Sequence, residues 1–244
     1  MTTPVAVITG ATRGIGRAVA LRLASRGVSI ATVYRNDVTA ASALSEELAR
    51  LHVDSLVLRC DVCDFEGLRG FAKQVISRFG KVDYLVNNVG LDLFKTIEAV
   101  SFDEWRIAQD VILNAPFVLT KEILPYMRER HFGRIIMLGA SSRDYEKGAA
   151  GLGPYGVHKA ALKVLMRTLA LEEIGHGITV NMVAPGSTAG AGSLPEDQRI
   201  PLTRIPIGRR ILLDEVVGAI DYFISDSAAA VTGQCLGING GMST

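Results

Sequence analysis

Seven short apolar runs recur along this chain, with helix-like stretches between them, and that alternation limits the possible folds more than any other feature. The runs are Val5–Thr9, Val28–Val33, Ser55–Cys60, Val82–Asn87, Arg134–Leu138, Ile178–Val183 and Cys235–Ile238. They are continuous rather than alternating in polarity, as strands are when a parallel sheet is covered on both faces. The helix-like stretches are Ile15–Ser25, Val38–Leu51, Phe65–Phe79, Phe102–Arg130, Pro154–Ile174 and Asp214–Ser225. Repeated strand–helix units with right-handed crossovers build a doubly wound sheet. The sequence therefore predicts an α/β fold, a parallel sheet of about seven strands flanked by helices. No linker or repeat interrupts the pattern, so residues 1–244 read as a single domain.

Composition excludes several classes of function. Lys and Arg nearly balance Asp and Glu, for a net charge of +1, which gives no reason to expect nucleic acid or an anionic membrane as partner. No apolar run approaches the ~18 residues that a spanning helix needs. Met1-Thr2-Thr3-Pro4 carries no basic segment ahead of an apolar one, and the expected location is the cytoplasm. Cys60-Asp61-Val62-Cys63 has metal-site spacing, but no second pair accompanies it, so no metal is expected and the two cysteines read as small residues at a strand end.

The first strand runs into Thr9-Gly10-Ala11-Thr12-Arg13-Gly14-Ile15-Gly16, and a helix follows at once. Glycines there let the backbone turn tightly and approach a pyrophosphate, which sits at the positive end of the helix. The spacing is Gly-x-x-x-Gly-x-Gly, and its place between strand and helix marks it as a dinucleotide loop. Gly10, Thr12, Arg13, Gly14, Ile15 and Gly16 are its candidate contacts. Selection of NAD places an acid at the end of the second strand. Here that strand ends Val33-Tyr34-Arg35-Asn36. Arg35 and Arg13 together suit the extra phosphate of NADP(H), which guanidinium groups grip in bidentate fashion.

Tyr155 and Lys159 stand four residues apart in a helix-like stretch, so their side chains share one face, a turn apart. An ammonium near a phenol favours the phenolate, and a phenol tuned this way can exchange a proton with a carbonyl oxygen.

With these motifs, the chain resembles the short-chain dehydrogenase/reductase family, and most of all its 3-oxoacyl-acyl-carrier-protein reductase branch. The resemblance also rests on Asp61-Val62, Asn87-Asn88-Val89-Gly90, Pro185-Gly186 and the tail Thr232-Gly233-Gln234…Asn239-Gly240-Gly241. It implies a Rossmann-type fold and an NADPH-dependent ketoreductase that makes a secondary alcohol, from a 3-oxoacyl thioester or a polyketide-like ketone. In that reading Asp61 and Val62 face the adenine, and Asn88 and Gly90 line the nucleotide. Pro185 and Gly186 meet the nicotinamide, with Thr188 in reach of its carboxamide. Tyr155 is the acid, and Lys159 binds the nicotinamide ribose and lowers the tyrosine pKa. A homodimer or homotetramer is implied, paired through the helices at 102–130 and 154–174. An acyl carrier protein is a possible partner, although His131 and His176 occupy places where a firmly basic docking patch is expected.

Two departures from the family pattern bear on the chemistry. The assisting serine falls at Ala140 when counted from Gly133, and at Ser142 when counted back from Tyr155. Ser142 is the preferred candidate, ~6–7 Å further along an extended strand than Ala140, and a bulge would deliver Ser141 instead. The family's helix asparagine is replaced by Ile112. Asn114 cannot stand in, because two helical residues rotate it by ~200°. Pro116 withholds an N–H from the Ile112 carbonyl, which either frees that oxygen for a relay water or simply bends the helix. These departures leave two rivals, a cyclase or dehydratase on the same fold, and a nucleotide-binding protein with little turnover.

Overall fold

In the computed structural model the described residues are 3–140, 148–191 and 200–242. All seven predicted strands form: β1 (Val5–Thr9), β2 (Ser29–Tyr34), β3 (Ser55–Arg59), β4 (Tyr84–Asn87), β5 (Gly133–Leu138), β6 (Ile178–Pro185) and β7 (Cys235–Ile238). They make one sheet in the order β3-β2-β1-β4-β5-β6-β7, and neighbouring strands are parallel throughout. The order reverses direction between β1 and β4, which opens a crevice beyond their C-terminal ends.

Side-chain alternation along each strand divides the core in two. Val7, Val33, Leu85, Ile135 and Val180 enter one cluster with residues of α3 (Phe65–Phe79), α5 (Ala115–Glu129) and α6 (Gly153–Glu173). Ala6, Ile8, Ile30, Val86 and Ile136 face the other side, against α1 (Gly14–Ala24), α2 (Val38–Arg50) and α7 (Leu213–Ile224). Burial on both faces is why the strands read as unbroken apolar runs.

Helix starts follow local chemistry. Asp37 caps α2 by accepting from Ala40 N, and Asp64 caps α3 by accepting from Gly67 N. Ser101 and Glu104 form a capping box at α4 (Phe102–Gln109).

The expected helix at 102–130 is divided. A π-helical turn, Asp110–Asn114, separates α4 from α5, with Ala115 N donating to Asp110 O. Pro116 then falls in the first turn of α5, where its missing N–H breaks nothing within that segment. The proline thus directly follows a widened turn of helix. No helix among the described residues is long and apolar enough to cross a membrane.

Candidate active site

The loop after β1 is built by contacts that only glycine permits. Gly10 and Gly14 have φ of +69° and +56°. A Cβ on Gly16 would lie 2.6 Å from both Asn88 Nδ2 and Gly10 O. The loop is tied to β2 through Gly10 N to Val33 O at 3.0 Å and Ala11 N to Thr32 Oγ1 at 3.1 Å. Helix α1 starts at Gly14 without a side-chain cap, and Arg13, extended at its N-cap, is exposed. An uncapped helix start that glycines lay open is a ready anion site. The residues fit a dinucleotide pyrophosphate.

Asn88 joins the two sides of the crevice. Its Nδ2 donates to Thr9 O at 2.8 Å and Gly10 O at 3.4 Å. Thr9 Oγ1 accepts in turn from the main-chain N–H groups of Asn88 and Val89. The side-chain N–H donors are thus spent on shaping the glycine loop.

Beyond the ends of β2 and β3, Arg35 is exposed and borders an open hollow of about 470 Å³ with Asn36, Arg59, Cys60, Asp61 and Asp64. Asp61 Oδ1 accepts from Cys63 N at 3.0 Å, which holds the turn that carries Val62 into the core. Burial, then the Asp61 carboxylate, pushes the Cys63 thiol up to about 11, and burial also raises Cys60. Both therefore remain protonated at neutral pH, which does not suit a nucleophile. Among the described residues no three His, Cys, Asp or Glu side chains gather around one point.

Tyr155 and Lys159 lie on the first turns of α6, 9% and 5% exposed. Lys159 Nζ donates to Leu138 O, the last carbonyl of β5, at 2.6 Å, and lies 5.9 Å from the centre of the Tyr155 ring. Gly90 brings the turn after β4 close, with Nζ 3.7 Å from where its Cβ would stand. Burial lowers the Lys159 pKa from 10.5 to about 8, while the Asp92 carboxylate pulls the other way. The ammonium is still mostly charged at pH 7.

Phe94 meets the Tyr155 ring edge-to-face, centroids 4.9 Å apart, and is 43% exposed. It forms an apolar wall beside the phenol that sequence reading missed, and an aromatic two residues beyond Asp92 was its only signal. Ile112, 1% exposed, is buried in the same core cluster as Tyr155. Asn114 Nδ2 is held by Asp110 Oδ1 at 2.7 Å, which agrees with its expected exclusion from the centre. Ser141 and Ser142 lie outside the described residues, and Ala140 is half-buried just beyond β5.

Across the crevice, β6 ends at Pro185. A Cβ on Gly186 would come within 2.9 Å of Asn239 Cα, so glycine lets the tail close on this loop. Thr188 is buried and its hydroxyl donates to Gly186 O at 3.0 Å, which leaves the oxygen's lone pairs as its means of meeting a carboxamide. Gly190 O and Ala191 Cα approach Gly14, so this loop faces the start of α1.

The chain is similar to known proteins along nearly its whole length. A family profile described as enoyl-(acyl carrier protein) reductase matches residues 10–243. The chain is 35% identical over 243 residues to 3-oxoacyl-(acyl-carrier-protein) reductase FabG of Staphylococcus aureus, covering 97% of each chain. To the protein of that name from Escherichia coli it is 34% identical over 241 residues, covering 98% of this chain and 96% of that one. Among solved structures, a double mutant of a Serratia marcescens short-chain dehydrogenase/reductase superposes with a TM-score of 0.90 at 30% identity, covering 100% and 99% of the two chains. A blue fluorescent protein from a metagenomic library, in complex with NADPH, gives 0.91 at 30% identity, covering 99% and 98%.

Proposed function

The chain belongs to the short-chain dehydrogenase/reductase family, oxidoreductases that work with a nicotinamide cofactor, and from that premise we propose that it is an NADPH-dependent ketoreductase. The observation that carries the proposal is the Tyr155–Lys159 pair, linked by the Asn88–Gly90 turn to a glycine loop that opens an uncapped helix. The substrate class is a small-molecule ketone, with 3-oxoacyl thioesters first among those to test.

Arg13 and Arg35 would hold the 2′-phosphate, the N-terminus of α1 the pyrophosphate, and Asp61 and Val62 the adenine end. Gly90, Lys159, Pro185, Gly186 and Thr188 would border the nicotinamide half. When bound, the cofactor supplies the hydride. Tyr155 gives its phenolic proton to the carbonyl oxygen as that oxygen gains charge. Lys159, pinned by Leu138 O, keeps a positive charge near the phenol and stabilises the phenolate left behind. Phe94 excludes water on one side of the ring. Ser142, or Ser141, would donate to the same carbonyl oxygen, and the Ile112 carbonyl, with no N–H from Pro116, would hold the relay water.

Exposed apolar side chains on α4 and α6, Phe102 at 75% and Leu171 at 81%, favour pairing of two copies through these helices, as a homodimer or homotetramer. Carrier-protein docking would involve His131 and His176. The His131 carbonyl packs against Gly177, the neighbour of His176, so the two imidazoles rise from adjoining backbone.

The test is NADPH oxidation with a panel of β-ketoesters and 3-oxoacyl thioesters. Tyr155→Phe is expected to lower kcat at least ~100-fold, with NADPH affinity unchanged. Product without NADPH consumption would refute the reading in favour of a cyclase or dehydratase. NADPH binding without turnover on any ketone would leave a nucleotide-binding protein.

A further inference from the structure

We propose that Arg59 is a specificity-determining residue for the cofactor, its guanidinium receiving the 2′-phosphate of NADP(H) beside Arg35; this rests on the NADP(H) reading above. Arg59 is the last residue of β3 and pairs in register with Tyr34, so it stands next to the β2 end that carries Arg35. Its Nε donates to the Arg35 main-chain oxygen at 3.1 Å. That bond uses the donor nearest the stem and fixes the plane of the guanidinium. It also holds the backbone of Arg35 in place. The two terminal nitrogens form no ion pair with a carboxylate among the described residues, and Arg59 lines the same hollow as Arg35. A pre-oriented fork of this kind matches a phosphate's oxygens.

The charge balance of the hollow makes this arginine matter. Asp61 and Asp64 line it as well. Each gives one carboxylate oxygen to a main-chain N–H, of Cys63 and Gly67 respectively, so both are fixed parts of the wall. Two guanidiniums therefore offset two carboxylates. A phosphate is held there by direct bidentate contacts and gains nothing from net charge. Removing one guanidinium leaves the hollow net negative, which repels a phosphate and leaves a hydroxyl almost unaffected.

The experiment is calorimetric titration of the full chain with 2′,5′-ADP and with 5′-AMP, which differ at the 2′ position in carrying the phosphate, for wild type, Arg59→Gln and Arg59→Lys. Wild type is expected to bind 2′,5′-ADP more tightly. Arg59→Gln should weaken 2′,5′-ADP by about 10- to 100-fold, the scale of lost charged hydrogen bonds, and 5′-AMP by less than about 3-fold. Arg59→Lys, which keeps the charge and loses the fork, should fall between, and it carries the test if Arg59→Gln does not fold. Unchanged 2′,5′-ADP affinity in both variants overturns the inference alone. Equal losses for both ligands also overturn it, since Arg59 would then only maintain the wall that both ligands share. Equal affinity of wild type for the two ligands sinks the NADP(H) reading itself, and the inference with it.

Discussion

Replacing Lys159 with methionine should separate its two effects, on stability and on turnover. Burial lowers its pKa from 10.5 to about 8, so holding the charged form in the native state at pH 7 costs about 3 kcal/mol, at 1.36 kcal/mol per pKa unit. Methionine has similar length and adapts to an apolar site, and it removes that cost. It also leaves Leu138 O without the donor now at 2.6 Å, a loss of about 1–2 kcal/mol. Lys159→Met is therefore expected to be more stable than wild type at pH 7 by about 1–2 kcal/mol, or about 2–8 °C in Tm for a chain of this size. Between about pH 8 and 10.5 the unfolded lysine keeps its proton and the native one gives it up. The unfolded state then binds more protons, so wild-type stability rises with pH across that window. The variant's advantage is constant below pH 8, shrinks above it, is gone by about pH 9 and has reversed by about 10.5, where wild type keeps the bond to Leu138 O at no charge cost. Paired urea melts from pH 7 to 10.5 measure this, because other titrating groups cancel in the difference. Activity should be lost at every pH. A variant destabilised by more than about 1 kcal/mol at pH 7, or a gap that does not move with pH, would refute the account of Lys159 as a buried charge.

Gly16→Ala would place a methyl 2.6 Å from Asn88 Nδ2 and Gly10 O. It should destabilise the fold by about 1–3 kcal/mol and weaken NADPH binding at least 10-fold in a fluorescence titration, against the about 3-fold or less expected of a tolerated methyl. Ile112→Asn should not restore a relay, because a buried amide without a partner and the lost aliphatic burial together cost about 2–5 kcal/mol. Equal stability with higher kcat would mean that a polar partner for residue 112 already exists.

The parts of the fold that were legible in sequence are those governed by side-chain periodicity. All seven strands were found because burial on both faces leaves an unbroken apolar signature. The π-helical turn was not, since helical patterning passes through Asp110–Asn114 with only Pro116 as a mark. The glycine loop and the Tyr155–Lys159 spacing were readable as local patterns. Arg59 was not, because its place beside Arg35 follows from the register of β2 on β3. The partner of Lys159 was equally hidden, since any residue at 138 would present the same main-chain carbonyl.

That dependence on main chain links the cofactor end to the catalytic end. Asn88 bonds both carbonyls at the mouth of the phosphate loop, and two residues later Gly90 approaches Lys159. The turn from Asn87 to Gly90 therefore binds the glycine loop at one end and lies beside the Lys159 ammonium at the other. Its anchor on β1 is the Thr9 hydroxyl, which accepts two of its N–H groups. A displaced phosphate loop must pull this turn away from Lys159 or break those bonds. Among the described residues the charge that acts on the ammonium is the Asp92 carboxylate, and Ile112 offers none. The backbone beside Lys159 is thus held by the same bonds that shape the glycine loop, while the ammonium itself is pinned by Leu138 O.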